Sequence, residues 1–66
     1  MAVKNNLKEI RKERGLQQTE LAKAVLTDAR TISRYETGDR NPSIEMGLRL
    51  ATYLHVAMDA LFWLES

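Results

Sequence analysis

Two arginines, Arg30 and Arg34, stand four residues apart near the middle of the chain. Ile32 and Tyr35 have helical spacing beside them, so both arginines belong to the outward face of a predicted helix. A guanidinium fork on such a face can hold guanine O6 and N7 with two hydrogen bonds. The spacing therefore indicates a surface that can read base edges, and the simpler alternative is ordinary solvent-exposed helix charge.

The sequence offers no set of residues for catalysis. It contains one histidine, no cysteine, no paired-carboxylate pattern and no glycine-rich phosphate loop. These residue types cannot be assembled into a nucleophile with its base or into a metal shell. We expect no enzymatic activity, no metal and no cofactor, and we interpret the single histidine, His55, as structural.

Apolar spacing and helix-end residues predict five short helices that position the two arginines. The first covers about residues 6–14, where Asn6 and Glu9 resemble a capping box and Gly15 favours an end. The second covers about residues 18–25 and has only a weak cap. Short helices of this kind must pack their apolar faces against one another to be stable.

The third and fourth helices have clearer ends. Asp28 is expected to cap the third helix and Gly38 to terminate it, while Ser43 is expected to cap the fourth. The fourth helix is predicted to be the main core element, because four apolar residues recur at i, i+4, i+7 and i+10. These residues are Ile44, Leu48, Ala51 and Leu54.

The last helix is a turn or two beginning at Met58, and strand content should be near zero. One exception is a two-residue ladder between residues 1–3 and residues 62–64. The predicted fold class is therefore all-α, a compact five-helix domain of residues 1–66 that allows this minimal pairing of its ends.

Four sequence segments together form a specific family signature, although each segment alone would be weak evidence. They are Leu7-x-x-Ile10-Arg11, Gly15-Leu16-x-Gln18-x-x-Leu21-Ala22, Thr31-Ile32-Ser33-x-x-Glu36-x-Gly38 and Asn41-Pro42-Ser43. At this spacing, residues 6–62 resemble the lambdoid-phage Cro and repressor family of XRE-type helix-turn-helix domains. The resemblance implies a lambda-repressor-like fold with its helix-turn-helix at residues 17–37, the third helix in the DNA major groove and the second crossing the backbone.

The resemblance also implies roles for individual residues. The base-reading positions are Ala29, Arg30, Ser33 and Arg34. Gln18 matches a phosphate-clamping glutamine, and further phosphate or sugar contacts are Thr31, Thr37, Arg40 and Asn41. For these flanking residues other than Arg40, a plain turn or surface role is an equal alternative. Arg11 and Glu36 match a pair that ties the first helix to the end of the third. The alternative is a surface ion pair worth less than about 1 kcal/mol.

Three positions depart from the family pattern. Leu26 stands where the family usually has glycine, so we expect either left-handed strain of roughly 1–2 kcal/mol or a reshaped turn that buries Leu26 or uses it for dimerisation. His55 also replaces a glycine, but histidine is enriched at positive φ. Ala57 replaces the usual cap of the last helix, where Asp59 can compensate in part.

Size and charge distribution indicate what the chain binds. Residues 1–14 carry five Lys or Arg against two Glu, a local +3, whereas residues 43–66 carry one Arg against three acids, a local −2. The first end suits phosphate. A 66-residue chain without cysteine commonly gains stability by self-association, and the apolar tail from about residue 57 to 66 is the best candidate interface. Its proposed dimer contacts are Met58, Leu61, Phe62, Trp63 and Leu64, and the alternative for Trp63 is to cap the core of its own chain.

We therefore expect a homodimeric, sequence-specific regulator of transcription, in the simplest case a repressor, that binds a pseudo-palindromic operator in double-stranded DNA. The DNA-binding region takes up about 57 residues, which leaves few for a ligand-binding region. We therefore expect no small-molecule ligand. Because no long apolar run or signal core is present, we expect a cytoplasmic, nucleoid-associated protein of bacterial or phage origin that does not bind membranes. The alternative is a protein-interaction module on the same fold, an antitoxin or adaptor.

Overall fold

A computed structural model describes residues 2–66 and confirms the five-helix architecture. In chain order the elements are strand β1 (Ala2–Asn5), helices α1 (Leu7–Glu13), α2 (Gln18–Ala24), α3 (Ala29–Thr37), α4 (Ile44–Leu54) and α5 (Met58–Leu61), and strand β2 (Phe62–Glu65). No helix within residues 2–66 is long and apolar enough to cross a membrane. The helix bounds agree with the predicted ones to within one or two residues.

The two ends of the chain pair with each other. Strands β1 and β2 form a two-stranded antiparallel sheet in which Ala2 lies opposite Glu65 and Asn5 lies opposite Phe62. The predicted pairing of the ends is thus confirmed, although it extends over four residues of each strand instead of two. Met1, which the prediction included, lies outside the described residues.

Every helix contributes to one apolar core. The largest fully buried side chains are Leu7, Leu21, Val25, Ile32, Leu50, Leu54 and Leu61. Fully burying an aliphatic side chain of this size contributes about 1.5–3 kcal/mol relative to leaving it exposed. The core therefore fixes the angle at which α3 is held against its neighbours.

The buried stripe of α4 differs from the predicted one. Ile44 and Leu48 are 76% and 52% exposed, so their assignment to the core was wrong. The buried residues of α4 are instead Gly47, Leu50, Ala51 and Leu54. Gly47 lies against the end of the Met58 side chain, since a Cβ built on Gly47 would lie 2.4 Å from the Met58 Cε. The face of α4 that is buried thus includes Gly47, and a count of apolar residues does not identify a glycine as a core position.

Three helices end in the same hydrogen-bonded motif. After α2, Thr27 N–H donates to the Ala22 carbonyl at 2.8 Å and Leu26 N–H donates to Lys23 at 3.3 Å. This is the Schellman arrangement, in which the residue after the helix adopts the left-handed conformation. Gly15 and His55 occupy that position after α1 and α4.

Of the two alternatives for Leu26, the left-handed conformation is confirmed and the reshaped turn does not occur. Leu26 adopts φ +65° and its side chain is 76% exposed, so it is neither buried nor withdrawn from the left-handed region. The backbone hydrogen bonds of the motif keep it there despite the cost of placing an L-residue at positive φ. His55 behaves as predicted, with φ 59°.

Helix beginnings follow the predictions at three positions and differ at a fourth. The side chains of Asp28 and Ser43 cap α3 and α4, and Ala57 gives α5 no side-chain cap. At α1 the expected capping box of Asn6 is absent. The Oδ1 atom of Asn5 accepts from Leu7 N–H at 3.0 Å instead, because the strand delivers the preceding residue to the helix terminus.

Candidate nucleic-acid interface

Helix α3 presents one apolar and one polar face. Ile32 and Tyr35 are 0% and 5% exposed and fasten the helix to the core. Arg30 and Arg34 are exposed on the other side, as predicted from their spacing. None of the three ion pairs found within residues 2–66 uses either arginine. The two guanidinium groups are therefore available to an external partner.

The beginning of α3 is fixed by Asp28. Its carboxylate accepts from Thr31 N–H at 2.7 Å. That backbone hydrogen bond is the largest cause that lowers the pKa of Asp28 from its ordinary value, followed by the Thr31 hydroxyl and then by the positive charges of Arg30 and Arg34. Asp28 thus holds the backbone of Thr31 at the N-terminal end of the polar face.

The remaining predicted base-reading residues, Ala29 and Ser33, each directly precede one of the arginines. Ala29 begins α3 and Ser33 lies one turn later, and both are half-buried. Positions 29, 30, 33 and 34 share one helical face by their spacing. The arrangement brings two guanidinium groups, a hydroxyl and a methyl group together on one surface, which can form both hydrogen bonds and apolar contacts to base edges.

Glu36 anchors the C-terminal end of α3 to α1. Its Oε2 accepts from Arg11 Nε at 2.6 Å and its Oε1 accepts from Arg11 Nη2 at 3.2 Å. The third guanidinium nitrogen of Arg11 donates to the Leu16 carbonyl at 2.8 Å. The Arg11 and Glu36 side chains are only 9% and 3% exposed, so the pair is buried and its charges are held away from water.

Gln18 joins the same cluster. Its Nε2 donates to Glu36 Oε1 at 3.0 Å, and the residue is half-buried at the first position of α2. A primary amide carries two N–H hydrogens, and Glu36 uses one of them. The buried carboxylate therefore orients the Gln18 amide and leaves one donor for another group.

The residues after α3 show mixed availability. The Thr37 hydroxyl donates to the Arg34 carbonyl at 3.1 Å and accepts from Asp39 N–H at 3.4 Å, so its proton is already used within the chain. Arg40 and Asn41 are exposed. Of these candidates, Arg40 combines a positive charge with an exposed position.

Two positioning residues escaped the sequence analysis. The Asn5 Nδ2 donates to the Tyr35 carbonyl at 3.0 Å and thereby ties β1 to α3. Arg14 Nε and Nη2 donate to the Leu54 carbonyl at 3.2 Å and 3.0 Å, at the negative end of α4. The sequence shows only that Asn5 and Arg14 are polar, because their hydrogen bonds join residues that are 30 and 40 positions apart.

The apolar tail is less exposed than predicted. Leu61 is 0% exposed and has no surface to offer a second copy, so its assignment as a dimer contact is corrected. Met58 and Phe62 are half-buried against the core of their own chain. Trp63 and Leu64 are 39% and 66% exposed and carry most of the apolar surface that remains.

Comparison with known proteins agrees with this arrangement. A helix-turn-helix family model matches residues 7–61. The uncharacterized HTH-type transcriptional regulator YgzD of Bacillus subtilis strain 168 is 33% identical over 64 residues, which cover 97% of each chain.

Solved structures lead to the same family. The restriction-modification controller protein C.AhdI from Aeromonas hydrophila is 35% identical, with a TM-score of 0.76 over 82% of each chain. A transcriptional regulator from Listeria innocua is 32% identical, with a TM-score of 0.85 over all of this chain and 64% of that one. The chain therefore belongs to the XRE-type helix-turn-helix family of DNA-binding transcriptional regulators.

Proposed function

We propose that this regulator is a homodimeric repressor that inserts α3 into the major groove of a pseudo-palindromic operator. The observation that carries the proposal is the exposed pair Arg30 and Arg34 on a helix whose opposite face is fixed by Ile32 and Tyr35. A rigid helix with two uncommitted guanidinium forks can read guanines at defined positions, at about 1–3 kcal/mol of discrimination for each good pair.

In this proposal each candidate residue on or near α3 has one role. Base edges are contacted by Ala29, Arg30, Ser33 and Arg34. The DNA backbone is contacted by Gln18, Thr31, Thr37, Arg40 and Asn41. Gln18 is the best supported of the backbone contacts, because Glu36 holds one of its amide hydrogens and leaves the other for a phosphate oxygen. Thr37 needs its hydroxyl to turn away from the Arg34 carbonyl within the chain.

The dimer interface is proposed at the C-terminal segment, residues 57–66 of a single domain. Trp63 and Leu64 supply its exposed apolar surface, with Met58 and Phe62 at the edges. A two-fold axis through this segment would present two copies of α3 to successive major grooves about 34 Å apart. Transcription would then be controlled by the concentration of this protein in the cytoplasm, beside the nucleoid, and not by a small ligand.

The decisive experiment is selection of bound sequences from a random duplex pool, followed by binding to the selected site over a range of salt concentrations. A symmetric consensus, with affinity that falls steeply as salt rises, is expected because phosphate contacts release counterions. An asymmetric consensus with a single half-site would contradict the dimer. Absence of any preferred sequence would contradict base reading by α3.

One observation favours a second function, a protein-interaction module such as an antitoxin or adaptor. Four large apolar side chains lie exposed away from the C-terminal segment: Leu26, Ile44, Leu48 and Tyr53. Two of them, Leu48 and Tyr53, line one groove together, and contiguous exposed apolar surface is typical of protein-binding sites. Binding to duplex DNA that is weak and insensitive to salt, together with tight binding to a protein, would favour this second function.

A further inference from the structure

A polar cavity separates the terminal sheet from the C-terminal end of α3. It has a volume of about 340 Å³, and it is lined by Ala2, Val3, Lys4 and Asn5 of β1 and by Glu36, Thr37 and Gly38. Successive side chains of a strand point to opposite faces, so a cavity that touches all four residues of β1 runs along the edge of the strand. The other edge of β1 is paired with β2.

Lys4 is the one basic residue among those that line this cavity. Glu36 is the one acidic residue among its lining residues, but both of its carboxylate oxygens accept hydrogen bonds from Arg11 and its side chain is 3% exposed. Lys4 is exposed, and none of the ion pairs within residues 2–66 includes it. The lining therefore includes one exposed basic residue that has no ion-pair partner within residues 2–66, and an ammonium group at such a place suits an anion.

The position of the cavity indicates which anion it would meet. Arg30, Arg34 and Thr37 follow one another at i, i+4 and i+7, so Thr37 continues the arginine face of α3. Thr37 also lines the cavity that contains Lys4. A duplex lying along that face would reach the cavity with its sugar-phosphate backbone at the end of α3.

We propose that β1 is a second DNA-contacting element and that Lys4 binds a backbone phosphate in this cavity. The inference rests on the proposed reading of DNA by α3, and it adds a contact outside the helix-turn-helix. Asn5 supports the contact by tying β1 to α3 through the Tyr35 carbonyl. Because a phosphate carries no sequence information, Lys4 contributes affinity without base preference.

The test compares Lys4→Gln with wild type on the selected operator and on an unrelated duplex, over a range of salt concentrations. The logarithm of the binding constant falls with the logarithm of salt concentration by about 0.9 for each phosphate neutralised, so the slope should decrease by about one phosphate. Affinity should fall by the same factor on both duplexes. Lys4→Arg should restore the wild-type slope, because it keeps the positive charge.

A charge-matched control is Arg49→Gln, which removes an exposed cation of α4, outside the helix-turn-helix, and should leave the slope unchanged. Circular dichroism establishes that each variant is folded. If Lys4→Gln has the wild-type slope and affinity, or loses affinity for the operator alone, the backbone contact is refuted. Chemical-shift changes at Lys4 and Thr37 with inorganic phosphate but not with duplex would show a free-anion site and would also refute it. A wild type that binds no duplex overturns the proposed function itself.

Discussion

The carboxylate of Glu36 and the guanidinium of Arg11 form two hydrogen bonds, of 2.6 Å and 3.2 Å, between the end of α3 and the middle of α1. Both side chains are almost entirely buried. A buried pair costs much desolvation, so its net contribution to stability is small compared with the penalty for removing one partner alone. The larger effect of the pair is to hold side chains in position, since Glu36 also orients the Gln18 amide.

Removal of either partner should therefore destabilise the fold strongly. We expect Arg11→Ala and Glu36→Ala each to lower the free energy of unfolding by about 3–5 kcal/mol, because each leaves a buried charge unpaired. The double variant should lose little more than either single one. Urea denaturation of the four proteins measures the cycle. Small, additive losses below about 1 kcal/mol would mean that the pair behaves as an exposed one.

Base reading predicts a specific effect of the exposed arginines. Arg30→Ala or Arg34→Ala should weaken operator binding by about 1–3 kcal/mol and relax the preference at one base pair in each half-site. Thermal stability should hardly change, because both side chains are exposed and unpaired within residues 2–66. A variant that keeps the affinity and base preference of wild type would remove that arginine from the reading set.

The turn after α2 offers a stabilising substitution. Leu26→Asn should raise the free energy of unfolding by about 0.5–1 kcal/mol, because asparagine tolerates the left-handed conformation better than leucine. Little burial is lost, since the Leu26 side chain is 76% exposed. Ile44→Asn is the matched control, equally exposed but helical, and should bring no gain. If both variants melt alike, strain at Leu26 is negligible.

Acid should weaken the cap of α3. The folded chain holds the pKa of Asp28 below its ordinary value, mainly through the hydrogen bond from Thr31 N–H. The stabilisation is therefore fully present above the unfolded pKa and is lost as the pH falls through the lower, folded pKa. Melting temperatures of wild type and Asp28→Asn should converge in that acidic range, because asparagine caps without titrating. A constant difference across the range would contradict a role for the Asp28 charge.

The proposed dimer predicts a concentration-dependent assembly. Trp63→Glu with Leu64→Glu should shift sedimentation at micromolar concentration from dimer to monomer, because two charges would enter an apolar interface. Circular dichroism should show an intact fold, since both side chains are exposed in the single chain. The double variant should bind a paired operator no better than one half-site. A wild type that sediments as a monomer would exclude the interface.

The local parts of the fold were predictable from the sequence. Asp28, Ser43 and Gly38 fix helix ends through short-range chemistry that depends on few neighbours. The Arg11–Glu36 pair was expected from the family resemblance and not from the spacing of the two residues, which are 25 positions apart. The base-reading set likewise depends on that resemblance, and the variants above are its test.

Long-range packing accounts for the errors. Ile44 and Leu48 were assigned to the core because they are apolar, whereas α4 packs Gly47 against Met58 and leaves both of them exposed. Leu61 was assigned to an interface although α5 turns it into the core. Hydrophobicity gives the amount of apolar surface in a segment but not which neighbour covers it.

The pairing of β1 with β2 means that Ala2 and Glu65, near the two ends of the described chain, lie side by side. A polypeptide joined covalently before residue 2 or after residue 65 would therefore start from the same place, beside the cavity of Lys4 and the end of α3. For a fluorescent label, an affinity tag or a fused domain, the choice of terminus would change the direction of the attachment but not its position on the molecule.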